Sequence, residues 1–206
     1  MSSNLLRLPR LFAGTEPPAP RLVGRRLALR PPMREDFDDW RRLRDASRRF
    51  LAPWEPTWSA DALTRAAYRQ RLMHYANEWR GGQGYNFFLF RNGDGTLLGG
   101  IGLSQVRHGV AECGSLGYWM GEQFAHQGYM TEALGLMLDF AFGRLKLHRV
   151  EAACLPHNRA SRAVLMKNGF REEGRAKEYL CIDGRWQDHV LFALLQEEWA
   201  PRRADR

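Results

Sequence analysis

Apolar and polar residues change their spacing along the 206-residue chain, and the changes mark out its elements. In "RLVGRRLALRPP", Leu22, Leu27 and Leu29 are interleaved with arginines, which predicts a first strand ended by Pro31 and Pro32. "REDFDDWRRLRDASRRFL" switches to a spacing of three or four. Phe37, Trp40, Leu43 and Ala46 share a helical face, and an acidic first turn with basic later turns matches the helix dipole. After the loop "APWEPTWSADAL", Ser59 or Asp61 can cap a second helix over roughly 61–79, which "GGQG" ends.

Strand patterns then dominate. "YNFFLFRNGDGTLLGGIGLSQV" predicts two strands joined at the "NGDG" turn, and "AECGSLGYWM" a third. "EQFAHQGYMTEAL" leads into a helix ending near Leu147. "HRVEAACL" reads as a buried strand, and "NRASRAVLMKNGF" as a short helix stopped by Gly169. "REEGRAKEYLCIDG" and "RWQDHVLFALL" form a final hairpin around Asp183 and Gly184. No repeat or low-complexity segment interrupts this mixed α/β order. It predicts an extension over 1–20, one domain over 21–198 and a tail over 199–206.

Composition narrows the function classes. With 44% hydrophobic residues the chain can bury a full core, and the net charge of +8 suits an anionic ligand or partner. Cys113, Cys154 and Cys181 lack metal spacing and lie in apolar, strand-like runs, which predicts reduced, buried thiols and a cytoplasmic protein. His126, His148, His157 and His189 lack metal spacing too, so no metal is expected. No apolar run approaches the ~20 residues that cross a bilayer, and the N-terminus lacks a signal-peptide pattern.

The stretch "EQFAHQGYMTEAL" carries the candidate chemistry. A helix N-terminus presents unpaired amides and partial positive charge, and Gly128 lets backbone approach an anion closely. Neither a Walker loop nor the dinucleotide fingerprint is present. Together, "GSLGYWMGEQFAHQGYMTEAL" and "HRVEAACLPHNRASRAVLMKNGF" resemble the GNAT N-acetyltransferase superfamily, and the series is similar to its RimJ/RimL branch, which acetylates N-terminal amines of ribosomal proteins. The resemblance runs from about 21 to 195.

It implies a single GNAT domain, a mixed sheet splayed at a bulged strand with helices on both faces, and acetyl-CoA as donor. Gln127, Gly128, Tyr129, Met130 and Thr131 would offer amides to the pyrophosphate. Gly117 would mark the bulge, Met120 would pair with the pantetheine amides, Asn158 would bond the pantetheine arm, and Lys167 or Arg162 would meet the ADP phosphates. Two positions depart from the family pattern: Ala125 stands where Gln or Arg often opens the loop, and Leu165 where many members carry a tyrosine that protonates the leaving thiolate. Ser161 or Tyr179 would give that proton instead. Glu112, Glu151 or water would take the proton of the acceptor amine.

Trp54, Trp58 and Glu55 would form one acceptor wall, and Tyr179 and Trp186 the other. The expected acceptor is a protein N-terminus, with possible ribosomal association, as monomer or homodimer. A small amine acceptor, or a non-catalytic acyl-CoA- or RNA-binding module, are the alternatives.

Overall fold

The computed structural model of the chain describes residues 20–204. Its strands are β1 (Leu22–Val23), β2 (Leu27–Arg30), β3 (Tyr85–Arg91), β4 (Leu97–Arg107), β5 (Cys113–Met120), β6 (Arg149–Cys154), β7 (Arg171–Ile182) and β8 (Arg185–Leu195). They form one sheet in the order β1-β2-β3-β4-β5-β6-β8-β7. Every neighbouring pair is antiparallel except β5 with β6. A parallel pair needs a long crossover, and α4 (Tyr129–Leu138) supplies it, continuing as a π-helical turn over Asp139–Arg144.

The sheet is covered on both faces. Phe87 and Tyr118 point to the face of α4 and α5 (Arg159–Lys167). There Phe87 stacks edge-on against Phe140, and Tyr118 bonds Ser161. Phe88 and Trp119 point to the opposite face, where the Arg44 guanidinium of α1 (Phe37–Ala46) lies over the Trp119 ring. Leu29, Leu89, Leu98 and Leu103 from the sheet, with Leu134, Met137 and Leu138 from α4, are fully buried and form the centre of the core.

The order of elements follows the sequence pattern, and the details differ where distant contacts decide. The first strand is two, β1 and β2, because Gly24 turns the chain back so that Leu22 faces Leu29. The first helix stops at Ser47, whose hydroxyl accepts from the Glu122 amide at 3.0 Å, and a short α2 (Arg48–Leu51) follows; Ala46 is exposed. The next helix, α3 (Arg65–Arg80), is capped by Thr64, which accepts from the Ala67 amide, not by Ser59 or Asp61. Cys113 and Cys154 are buried, but Cys181 lies exposed on β7, the outermost strand.

The expected boundary at 198 falls inside α6 (Gln196–Ala204). Trp199 is buried there and its indole donates to Asp139 at 3.0 Å. Of the expected extension, residues 1–19 lie outside the described residues. No described helix is long and apolar enough to cross a membrane.

β4 holds β5 closely where β5 has no other neighbour. A Cβ on Gly99 would run into the Trp119 carbonyl and the Met120 backbone, which have nowhere to move. Gly99→Ala should therefore cost about 1–3 kcal/mol, the usual scale for overpacking, read as a lowered urea midpoint with unchanged slope.

Candidate active site

The site begins where β5 and β6 part. They pair from Cys113↔Arg149 to Leu116↔Ala152 and no further, although β5 continues to Met120 and β6 to Cys154. The edge of β5 facing β6 is therefore without a strand partner from Gly117 onward. The bulge expected at Gly117 lies elsewhere. Gly117 keeps regular register with Gly102, and the irregularity is on β4, between Ser104 and Arg107, where Gln105 takes a φ of 50°. The splay thus arises from divergence of the parallel pair.

Beyond Met120 the chain makes a short helical turn over Glu122–Phe124 and enters the loop before α4. His126 and Gly128 take φ values of 60° and 79°, which turn the backbone into the helix. Gly128 adopts this left-handed conformation without the penalty a Cβ would bring. The first helical bond runs from the Glu132 amide to the Gly128 carbonyl, so the amides of Tyr129, Met130 and Thr131 precede the ladder and lack intrahelical acceptors. This backbone cradle is formed with Ala125 ahead of it.

A residue the sequence reading missed holds the loop. Arg26, just before β2, donates through Nε to Glu132 at 2.8 Å and through Nη1 to the Gln127 carbonyl at 3.0 Å, and its guanidinium lies over the Tyr129 ring. Its backbone amide also donates to Glu132, at 2.8 Å. Burial raises the Glu132 pKa, but the Arg26 bonds outweigh it and hold the carboxyl below its ordinary value. That lowered folded value means the clamp contributes fully above the unfolded pKa of about 4.3 and is lost as pH falls through the folded one.

Helix α5 runs beside the gap. Asn158 caps it, accepting from the Ser161 amide at 3.0 Å, which leaves the Asn158 side-chain NH2 available. At the other end the fully buried Asn168 donates to the Thr131 carbonyl at 3.3 Å. The C-terminus of α5 is thereby joined to the first turn of α4, and the exposed Lys167 is the residue just before Asn168. Arg162 is held instead by Glu172 and the Pro156 carbonyl. From Asn168 back to Ser161 the helix rises about 10 Å, so a molecule lying along α5 from the loop would bring its far end to Ser161. There the Ser161 Oγ lies 2.8 Å from the Tyr118 hydroxyl.

On the opposite face a cavity of about 220 Å³ is lined by Glu55, Asn86, Phe88, Gly117 and Trp119 among others. Space beside Gly117 is open: a Cβ there would meet nothing within 4 Å. The loop carrying Trp54 and Glu55 closes one side. It docks on the β7–β8 turn, where the Asp183 amide donates to the Glu55 carbonyl, and Trp54 packs against His157. The Glu55 carboxylate accepts from Arg44 at 2.6 and 2.7 Å and from Trp58 at 2.8 Å, so its charge is already matched. Tyr179 packs edge-on against the buried His189, and Trp186 is largely exposed. No hydrogen bond among the described residues links Tyr179 to Ser161.

Glu112 does not join this arrangement. It precedes β5, roughly 16 Å along the strand from Gly117 at about 3.3 Å per residue. It accepts there from the Gly109 amide at 2.8 Å and lies 3.0 Å from His108. The His108 contact, followed by the Gly109 bond, holds its carboxyl below the ordinary value, which makes it a weaker base. Glu151 is also taken up, by Arg149 and Arg107.

The sequence model of the "Acetyltransferase (GNAT) domain" family matches residues 26–171, well over half of the chain. The chain belongs to this family. It is 35% identical over 189 residues to the "[Ribosomal protein uS5]-alanine N-acetyltransferase" of Escherichia coli, covering 90% of this chain and 96% of that one. It is 33% identical over 177 residues to the "Probable N-acetyltransferase YjcK" of Bacillus subtilis, covering 86% and 98%. Among solved structures, Mycobacterium smegmatis RimJ in complex with CoA-disulfide superimposes with a TM-score of 0.80 at 36% identity, over 84% of each chain. This GNAT chain is an acetyl-CoA-dependent N-acetyltransferase of the RimJ/RimL type. Among its described residues no group of three or more His, Cys, Asp or Glu side chains is placed to hold a metal ion.

Arg26→Met should loosen the loop without touching the gap. Calorimetry should show CoA bound at least about tenfold more weakly, the effect of losing roughly 1.4 kcal/mol of charge-assisted bonding. The turnover number at saturating acetyl-CoA should stay within about twofold.

Proposed function

We propose that this acetyltransferase acts on the N-terminal amine of a protein in the cytoplasm, and that a ribosomal protein beginning with alanine is the first acceptor to test. The observation that carries this reading is the Arg44–Glu55 pair beside the cavity at Gly117. A pocket for a polycationic small molecule needs uncompensated carboxylates. Here the one lining carboxylate is neutralised and the rest of the lining is uncharged, made of aromatic, aliphatic, amide, hydroxyl and glycine positions, which suits an extended peptide end. The activity of the uS5-alanine enzyme, similar over nearly its whole length, supports the same acceptor.

The proposed roles follow from the two faces. Acetyl-CoA would lie along α5 with its pyrophosphate at the amides of Gln127 to Thr131, Lys167 near the ADP phosphates, and pantetheine between Asn158 and the open edge of β5 at Met120. The amine would approach from the cavity face, past Trp54, Glu55 and Tyr179. The thiolate would depart toward Ser161 on the other face. Water in the open cavity takes the amine proton, because Glu112 and Glu151 are both engaged elsewhere.

Two outcomes test this. Against a panel of peptides, polyamines and aminoglycosides, an Ala-initiated ribosomal peptide should give a kcat/KM about a hundredfold or more above any small amine; turnover of small amines alone would transfer the assignment to them. Glu112→Gln should leave kcat and its pH profile within about threefold of the parent. A loss of a hundredfold, the scale of a missing general base, would return that role to Glu112.

A further inference from the structure

A partly buried tyrosine in the gap has no role so far. Tyr118 follows Gly117 on β5 and points to the α5 face. Its hydroxyl lies 2.8 Å from Ser161 Oγ and 3.3 Å from the Ser161 carbonyl oxygen. This contact spans the space that opens after Leu116 and Ala152. Burial pushes the phenol well above its ordinary value, with the Ser161 bond opposing. Tyr118 therefore keeps its hydrogen at neutral pH.

The direction of this bond matters for chemistry. A hydroxyl has one hydrogen and two lone pairs. If Ser161 donates to Tyr118, its only hydrogen is spent within the protein. If Tyr118 donates to Ser161, the serine hydrogen is left for a third atom, and Cys154 on β6, whose thiol Ser161 also hydrogen-bonds, competes for it with the departing sulfur. The carbonyl is the poorer acceptor for the phenol, since 3.3 Å exceeds the usual 2.5–3.0 Å of an O–H···O bond. The 2.8 Å contact to Oγ lies within that range.

We propose that Tyr118 is a positioning residue for proton delivery by Ser161: its hydroxyl donates to Ser161 Oγ, turns the serine hydrogen toward the departing sulfur, and steadies the charge left on Oγ. The inference rests on the reading of Ser161 as proton donor. In the step, the amine nitrogen bonds the thioester carbon and the C–S bond breaks, its electron pair going to sulfur. Sulfur takes the Ser161 hydrogen. The proton shed by the amine passes to water, and Ser161 recovers one from water after the thiol leaves.

The test uses the full chain as Tyr118→Phe, Ser161→Ala and the double variant, with kcat, KM for acetyl-CoA and CoA affinity measured for each. Tyr118→Phe should lower kcat about tenfold with KM and CoA affinity within about twofold, the pattern of a group acting in the transition state. The double variant should be no slower than Ser161→Ala, because the phenol acts only through the serine. Equal fold losses from Tyr118→Phe in the parent and in Ser161→Ala would overturn the inference while sparing the Ser161 reading. An unchanged kcat in Ser161→Ala would overturn that reading, and the inference with it. As a second probe, a fluorinated tyrosine at position 118 keeps the shape and makes the phenol more acidic. It should keep kcat near the parent level at neutral pH and bring the alkaline loss of kcat to lower pH; an unmoved alkaline limb would overturn the inference even if the phenylalanine variant does not fold.

Discussion

The structure depends on one limit: β5 and β6 can run side by side for only four residue pairs, from Cys113↔Arg149 to Leu116↔Ala152. A sheet interior normally leaves no backbone group unpaired. Here β4 holds one edge of β5 to its end at Met120, and the other edge is left facing a space that an amide-bearing chain can fill. The two faces of the sheet communicate through this opening, with Gly117 and Trp119 toward the cavity and Tyr118 toward α5. A transfer reaction gains from such a layout, because the amine can add to the thioester carbonyl from one face of the sheet while the thiolate departs toward the other.

The loop and α5 turn that opening into a binding track. Peptide amides can meet a pyrophosphate only if the loop keeps its shape before the ligand arrives, since ordering it on binding would subtract from affinity. Arg26 and Glu132 fix the loop from the side, and Asn168 fixes α5 to the first turn of α4. On the proposed placement of the donor, the length between Asn168 and Ser161 would set the distance from phosphates to thioester.

Much of this was legible in the sequence because its signals are local. The "NGDG" and Asp183–Gly184 turns, Gly128 ahead of a helix, and Asn158 three residues before Ser161 are read within a few positions, and each falls where the spacing put it. The missed residues act over long separations. Arg26 reaches Glu132 across 106 residues and Tyr118 reaches Ser161 across 43, and nothing near either residue in sequence signals it. Glu112 differs: it lies just before β5, at the end that remains paired with β6, where a turn with His108 and Gly109 engages its carboxylate. Glu55 was placed beside the cavity, and only the fold shows that Arg44 occupies its carboxylate. Cys181 follows an apolar pattern like the other two cysteines, yet it lies exposed on β7 while the next residue, Ile182, turns inward and is buried.

On this reading the open edge of β5 and the first turn of α4 hold the donor through backbone. Amide hydrogen exchange with and without CoA reads those groups directly. CoA should add strong protection confined to Gly117–Met120 and to the amides from Gln127 to Thr131, with α1 and the loop at 52–58 little changed. Protection appearing elsewhere, with these two segments exchanging as fast as in the free protein, would contradict it.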